Sequence, residues 1–353
     1  MDRRVFQCGL AGAVCGLAHA RRPATAPVID AVTRIKSLRI GTGPLADGYR
    51  IAPGGQLNWY FTNLGLIAIV QYLDSAELDL YVRRYLDLYI RRLLPNATIE
   101  DVQFSDASLQ SFSVVPADSD NSYAATLLSL AWRYLQASRN WNWWNTHQAT
   151  LRQVAQANIV TQIKTNGLSR VFQLPRTSSI SEYGFTMNNC EDYRGLRDFS
   201  NLLNQAGLSQ EAAAYQDQAH RLGQAIQALL WDSVGNGYRV SDQDRRADSR
   251  SFYPGSCCQV FPQASGVIES ASHDDAAYRF LNTCSPRWPN EVYDPFPWCI
   301  LGCVAAQRHD IGRATTQLAA TDARCQSDPG LVTINELGYY QRTRSLLQGR
   351  PET

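Results

Sequence analysis

Apolar residues recur at three- and four-residue steps through most of this chain, which is the spacing of one face of an α-helix. The stripe is clearest after Asp120, where the apolar positions are Tyr123, Leu127, Leu130, Ala131 and Tyr134. The pattern predicts helices over residues 28–35, 56–73, 76–94, 120–136, 146–164, 189–206, 209–231, 257–268, 272–281, 296–306, 311–321 and 332–346. Strand patterns are sparse, with a small hairpin predicted near residues 235–241 and a short strand at 170–174.

The predicted helices alternate between two kinds. A mostly apolar helix, such as 56–73, is followed by an amphipathic one, such as 76–94, and the couplet then recurs along the chain. Inner helices of a toroid are packed on all sides, whereas outer helices expose one face to water. We therefore predict an all-α fold, an (α/α)6 toroid of helical hairpins in which the short helix 28–35 closes the ring. Two separate helical bundles are the alternative, although no Pro/Gly/Ser-rich linker divides the couplets.

The two ends of the chain differ from its helical middle. Residues 1–20 are typical of an export signal, with Arg3 and Arg4 before a short apolar run and small residues at its end. The Arg-Arg-x-Phe order is similar to a twin-arginine signal. We divide the chain into this signal (1–20), a leader with the closing helix (21–50), the barrel domain (51–346) and a tail (347–353). We therefore predict a periplasmic or secreted protein that has no membrane segment after the signal is removed.

Composition narrows the classes of ligand. The net charge is +1, from 33 basic and 32 acidic residues with no basic block, so nucleic acid and anionic membranes are poor candidate partners. Charged residues make up only 18% of the chain, while 8 Trp and 17 Tyr enrich it in aromatic rings. This balance suits a protein that handles neutral polar ligands such as sugars. We expect a monomer.

Cysteines beyond the signal all lie in the second half of the chain. They are Cys190, Cys257, Cys258, Cys284, Cys299, Cys303 and Cys325. Their number is odd, and no His lies at zinc-finger spacing from the Cys299/Cys303 pair, so we predict one or two disulfides plus buried thiols and no metal. The sequence does not determine which of these cysteines form the disulfides.

The candidate catalytic and binding residues lie where the inner helices begin. Inner helices of a toroid run in the same direction, so their first residues meet at one end. The residues at or before these starts are Gln56, Asn58, Asp118, Asp120, Glu182, Asn189, Glu191, Asp192, Tyr253, Gln259, Asp294, Trp298, Asn335 and Glu336. Carboxylates beside amides and aromatic rings are typical of glycoside cleavage, in which one acid protonates the leaving oxygen and another activates water or attacks carbon.

Within this set we predict Asp120 and Glu191 as the acid/base pair, with Asp118 and Glu182 as second choices. Aromatic residues predicted to stack on sugar rings are Trp59, Tyr123, Tyr253 and Trp298. The other residues predicted to bind substrate are Gln56, Asn58, Asn189, Asp192, Arg194, Gln259, Asp294 and Glu336, and Arg194 is the only obvious cation near the set. A plainer interpretation is that the acidic residues only cap helices and complement their dipoles. Histidines fall on predicted outer helices, which argues against a Ser/His/Asp or Cys/His site.

Four stretches resemble (α/α)6-barrel, six-hairpin glycosidases of exported bacterial carbohydrate metabolism. They are 118–126 (DSDNSYAAT), 188–196 (NNCEDYRGL), 251–262 (SFYPGSCCQVFP) and 298–302 (WCILG). The resemblance spans residues 50–346 and is architectural. In several such families an Asp at the start of the second inner helix binds or attacks in the scissile subsite, a role that falls here on Asp120. A Glu acid at the first inner helix has no match, since 54–58 (GGQLN) contains no carboxylate.

The function that these features predict is a glycoside hydrolase that cleaves a poly- or oligosaccharide without a cofactor. A polysaccharide lyase on the same fold is a variant, which would use a Tyr or His base and a cation for a uronate. The alternative from another class is a non-catalytic protein that binds carbohydrate or handles exopolysaccharide.

Overall fold

The computed structural model of the chain describes residues 28–171, 182–267 and 271–350. Its helices are α1 (Ala31–Ser37), α2 (Trp59–Ile69), α3 (Ser75–Glu77), α4 (Arg84–Arg92), α5 (Asp120–Ser138), α6 (Trp141–Asn158), α7 (Thr186–Gln205), α8 (Ser209–Ala225), α9 (Phe261–Ser265), α10 (Ala271–Cys284), α11 (Ile300–Gln307), α12 (Ile311–Ser327) and α13 (Ile334–Leu347). The predicted export signal and residues 351–353 of the tail lie outside the described residues. Within the described part, no helix is both long and apolar enough to cross a bilayer.

Short helical turns extend several of these helices. A π-helical turn, Leu78–Arg83, joins α3 to α4 in one rod, and a second, Ile226–Leu230, prolongs α8. The turns Phe252–Ser256 and Cys257–Val260 lead into α9, which makes one inner member of the ring. Isolated 3-10 turns occur at Val70–Tyr72, Val160–Gln162, Trp288–Asn290 and Pro329–Leu331.

Six helices form a closed inner ring. Helix α2 contacts α5, α5 contacts α7, α7 contacts α9, α9 contacts α11, α11 contacts α13, and α13 returns to α2. The predicted (α/α)6 toroid is therefore confirmed, and the alternative of two separate bundles is wrong, because the last helix packs on the first inner one.

The outer ring alternates with the inner one along the chain. Helix α6 packs on α5, α8 on α7, α10 on the turn before α9, and α12 on α11, while the α3–α4 rod reaches α5 through its π turn. Helix α1 packs against α13 and α2, so the short first helix is the twelfth member, as predicted. Burial explains the two kinds of helix, since α5 is buried without a break from Asp120 to Ala131, whereas α6 buries only one stripe.

Two short hairpins interrupt the helices in the described residues. Strand β1 (Glu100–Phe104) pairs antiparallel with β2 (Phe112–Pro116), and β3 (Trp231–Asp232) pairs with β4 (Gly237–Tyr238). The second pair confirms the hairpin predicted near residue 235. The first was not predicted, because its strands are short and β1 carries Glu100, Asp101 and Gln103. Of the strand predicted at 170–174, only residues 170 and 171 are described, and the neighbouring Ser169 forms an isolated bridge with Ile163.

Two further expectations are corrected. The helix predicted from residue 146 begins earlier, at Trp141, because Asn140 caps it there by accepting from the backbone N–H of Trp143. All seven described cysteines are free thiols, and only Cys284 among them is not buried, so the predicted disulfides are absent from this part of the chain. A closed core of this size is stabilised by apolar burial and does not need covalent staples.

Candidate active site at the mouth of the inner ring

Three side chains at or near the starts of three inner helices interact at the end of the ring where those helices begin. Asp118 precedes α5, Glu191 lies in the second turn of α7, and Tyr60 lies in the first turn of α2. The Tyr60 hydroxyl donates a hydrogen bond to Glu191 Oε1. The charge of Asp118 raises the pKa of both Tyr60 and Glu191, so the three groups share one electrostatic environment.

Glu191 is half-buried, and its environment favours the protonated carboxyl group. Burial is the largest cause and raises its pKa to about 7, helped by the charges of Asp192 and Asp118. Hydrogen bonds from Ser122 and Tyr60 act in the opposite direction, since they stabilise the carboxylate. A carboxyl group with this pKa can hold a proton near neutral pH and give it to a leaving group.

Asp118 differs from Glu191 in its hydrogen bonding. Burial raises its pKa to about 6, and a backbone hydrogen bond at Asp118 itself lowers it. Its charge also raises the pKa of Tyr253, so Tyr253 belongs to the same neighbourhood. With a pKa below that of Glu191, Asp118 is the member of the pair that is ionised first as the pH rises.

Asp120 is the residue predicted as the partner of Glu191. It is the first residue of α5, is buried, and its charge raises the pKa of the core residue Tyr89 on α4. The charge of Asp118 raises the pKa of Glu191, which makes Asp118 a candidate partner of Glu191 beside Asp120. Asp118 lies before α5, and Asp120 is its first residue.

A buried polar layer lies beneath Tyr60. The Tyr123 hydroxyl donates to Asp101 Oδ2 at 2.5 Å, and Asn58 Nδ2 lies 2.6 Å from both of these oxygens. Asp101 Oδ1 accepts from the backbone N–H of Trp59 at 3.1 Å. Burial raises the pKa of Asp101 to about 7. Tyr123 is 1% exposed and Asn58 is half-buried, so this layer supports the site from below.

A second buried layer lies behind Glu191. Asp192 Oδ2 accepts from Asn121 Nδ2 at 2.8 Å and from the Ser169 hydroxyl, and burial raises the Asp192 pKa to about 7. Asn189 is fully buried and binds the backbone of Ser169 and Phe185. Both residues, predicted to bind substrate, instead join α7 to the segment around Ser169.

The aromatic residues divide into core and site. Trp59 is fully buried between Tyr85 and Tyr89, so the prediction that it stacks on a sugar is wrong, and its neighbour Tyr60 presents the ring instead. Tyr253 and Trp298 stack on each other, with ring centroids 4.9 Å apart and an interplanar angle of 29°. Tyr253 is 38% exposed, so part of this stack is accessible to solvent.

Three of the remaining predicted residues hold the ring mouth together. Glu336 is buried and accepts the backbone N–H of Cys299 at 2.6 Å, which fixes the start of α11, and burial raises its pKa to about 7. Asn335 donates to Glu336 Oε1 at 3.1 Å. Gln259 is buried and bonds both the N–H and the carbonyl of Tyr238.

The other predicted residues make local contacts or are partly exposed. Asp294 accepts the backbone N–H of Phe296, and Gln56 is half-buried before α2. Glu182 is exposed and pairs with Arg170 at 3.3 Å. Arg194 pairs with Asp198 one turn along α7 at 2.7 Å.

The sequence analysis missed Tyr60, Asp101, Ser122 and Asn188. Tyr60 lies in the same first turn as the predicted Trp59, but helix neighbours point about 100° apart and only packing decides which faces inward. Asn188 donates to the hydroxyls of Ser119 and Ser122, at 2.5 and 3.0 Å, and so places Ser122 beside Glu191. Within the described residues, no group of three or more His, Cys, Asp or Glu side chains is arranged to hold a metal ion.

Solved structures with similar folds are glycosidases. A rhamnosidase from Klebsiella oxytoca with rhamnose bound matches with a TM-score of 0.61 at 14% identity, over 92% of this chain and 66% of that chain. A GH78 family rhamnosidase of Bacillus sp. GL1 matches with a TM-score of 0.57 at 15% identity, over 90% of this chain and 34% of that chain. A GH76 alpha-mannanase of Bacteroides thetaiotaomicron matches with a TM-score of 0.55 at 10% identity, over 91% and 96% of the two chains.

The fold is that of the α/α-toroid glycosidases. The chain spans about two thirds and one third of the lengths of the two rhamnosidases. No protein-family model matches the chain, and no curated protein matches it in sequence.

Proposed function

We propose that the protein is a glycoside hydrolase that cleaves a poly- or oligosaccharide at the mouth of its inner ring. The observation that carries this proposal is the electrostatic interaction of Asp118 with Glu191, two carboxyl groups at the ring mouth with pKa values of about 6 and 7. Pairs of carboxyl groups whose surroundings separate their pKa values are what glycoside hydrolysis needs. The structural neighbours, a rhamnosidase and a mannanase, are themselves enzymes that act on carbohydrate.

In this proposal each carboxyl group has one role. Glu191, protonated near neutral pH, donates its proton to the glycosidic oxygen as the bond to the anomeric carbon breaks. Asp118, ionised, either takes a proton from the attacking water or attacks the anomeric carbon itself. The exposed part of the Tyr253/Trp298 stack offers a surface for a sugar ring.

The lyase alternative fits the site less well. A tyrosine that acts as the base of a lyase must lose its proton readily. Burial and the neighbouring carboxylates instead raise the pKa of Tyr60 and Tyr253. The acidic groups around the ring mouth also favour a neutral glycan over a uronate.

The test is reducing-end release from a panel of neutral and acidic polysaccharides, including glycans that contain rhamnose and mannose. We expect wild type to cut at least one glycan and the variants Glu191→Gln and Asp118→Asn to lose about 10²- to 10⁴-fold in kcat. Glu182→Gln is the matched control, because Glu182 is an exposed carboxylate and its loss should cost little.

Asp120→Asn, assayed beside these variants, decides between the two aspartates. Loss of activity in the Asp120 variant but not in the Asp118 variant would assign the role of base or nucleophile to Asp120. Binding of a glycan without any cleavage would instead favour the non-catalytic carbohydrate-binding protein. Thermal unfolding of each variant separates lost chemistry from lost folding.

We propose in addition that the protein is exported and acts as a monomer. Support for export comes from the charge and apolar run of residues 1–20. Amino-terminal sequencing of the mature protein from the periplasm or medium tests the cleavage, and light scattering tests the monomer.

A further inference from the structure

The Tyr60 hydroxyl makes a contact that spans the ring mouth. Tyr60 belongs to α2 and Glu191 belongs to α7, and α5 lies between these two helices in the inner ring. The hydroxyl nevertheless reaches Glu191 Oε1 and donates a hydrogen bond to it. Burial raises the pKa of Tyr60 well above its usual range, so the phenol stays protonated and remains a donor at any working pH.

The ring of Tyr60 is held from below. It stacks on Tyr123, with centroids 5.8 Å apart and an interplanar angle of 26°. Tyr123 is in turn fixed by its hydrogen bond to Asp101, and Asn58 contacts both. Each member of this layer is restrained by another, so Tyr60 has little freedom to leave Glu191.

Glu191 is also held from the α5 side by Ser122, whose hydroxyl is a second donor to the carboxyl group. The amide of Asn188 fixes that serine at 3.0 Å. Two donors from two different helices therefore restrain the carboxyl group of Glu191. Such restraint matters in catalysis, because a misplacement of about 1 Å can cost about 10²-fold in rate.

We propose that Tyr60 is a positioning residue, which holds the Glu191 carboxyl group in one rotamer while the Asp101–Tyr123–Asn58 layer holds the ring of Tyr60. The inference rests on the proposed function, since it concerns the proposed acid. It assigns a role to a tyrosine whose only sequence signal is its place in the first turn of α2.

A consequence is that Tyr60 tunes the titration of Glu191. Titratable groups that face Glu191 from the packed elements are Tyr60, Asp118, Asp192, Cys190, Tyr253 and Tyr339. Among these groups, Tyr60 is the one whose hydrogen bond stabilises the Glu191 carboxylate. Its removal should therefore raise the pKa of Glu191.

The experiment is a carbon-13 NMR titration of glutamate carboxyl groups in wild type and Tyr60→Phe, with the Glu191 signal assigned by its loss in Glu191→Gln. We expect the midpoint of Glu191 to rise by about one pH unit in Tyr60→Phe. Tyr339→Phe is the matched control, because it removes another hydroxyl near the same carboxyl group without removing the Tyr60 hydrogen bond. An unchanged midpoint, or an equal shift in both variants, overturns the proposal.

A second measurement needs no variant to fold. In wild type, the Cζ signal of Tyr60 should titrate with the same midpoint as Glu191, and a flat Cζ signal overturns the contact.

With an active substrate, Tyr60→Phe should lower kcat about 10-fold or more and leave KM nearly unchanged. A wild type that cuts no glycan refutes the proposed function but does not alter the titration, so the two failures are distinguishable.

Discussion

Asp118 and Glu191 are carboxyl groups in one environment with different partners. Burial is the largest cause of the raised pKa at both, but Glu191 also accepts from Tyr60 and Ser122 and is surrounded by further acidic charge. The result is a pKa of about 6 at Asp118 and about 7 at Glu191. At the scale of the residue, this difference assigns the base to Asp118 and the acid to Glu191 in our proposal.

The same difference predicts the pH profile of kcat/KM. Activity needs ionised Asp118, so it should rise as the pH passes about 6, and it needs protonated Glu191, so it should fall above about 7. We expect a narrow bell with its maximum between these values, measured on the cut glycan from pH 4.5 to 9. A plateau that continues above pH 8.5 would show that Glu191 is not the proton donor.

Inner helices α5 and α7 approach so closely that a glycine is required between them. A Cβ built on Gly195 of α7 would lie 2.6 Å from the Cα of Ala125 and 2.9 Å from its carbonyl oxygen on α5. These are backbone atoms, which cannot move aside as a flexible side chain would. The close approach brings Asn121 of α5 to Asp192 of α7, so helix packing and the support of the site depend on each other.

At the scale of the element, we predict that Gly195→Ala destabilises the fold by about 2 kcal/mol through overpacking, despite the better helix propensity of alanine. Gly312→Ala is the matched control, because Gly312 is an exposed residue of α12 whose added Cβ would meet only Asp310 Oδ1 at 3.9 Å. Urea unfolding of both variants gives the comparison. If the two variants are equally stable, α5 and α7 can move apart without a measurable loss of unfolding free energy.

Buried carboxyl groups with raised pKa values are distributed around the whole ring. Asp101, Asp192, Glu191 and Glu336 have pKa values of about 7, and Asp118 of about 6. In the unfolded chain such groups have pKa values of about 4. Between these limits the folded state binds more protons than the unfolded state, so the free energy of unfolding falls as the pH rises.

At the scale of the whole molecule, we therefore predict that the protein is more stable at pH 5 than at pH 8. One group with a pKa of about 7 contributes about 2 to 3 kcal/mol over this range. Burial lowers the pKa of His147 and His273, which act in the opposite direction but are fewer. Chemical unfolding at the two pH values measures the difference, and Asp192→Asn should reduce it. A higher stability at pH 8 would contradict the raised pKa values.

Local patterns along the chain were sufficient to predict the toroid. The helical period and the alternation of fully apolar with one-sided helices are properties of neighbouring residues, and burial in two rings follows from them. Glu191 and Asp118 were also among the predicted residues, because their helix starts could be read from the sequence. The β1–β2 hairpin with Asp101 was missed, since its short polar strands carry no clear period.

The sequence alone therefore determined the helices, their order in the ring and the end at which polar residues gather. Only the tertiary structure decided that the charge of Asp118 acts on Glu191, and that Tyr60 rather than Trp59 contacts Glu191. The physical reason is that residues one or two positions apart near a helix start point in different directions. The rotation of each helix about its axis is set by side chains that are distant in sequence, such as Tyr85 and Tyr89 around Trp59.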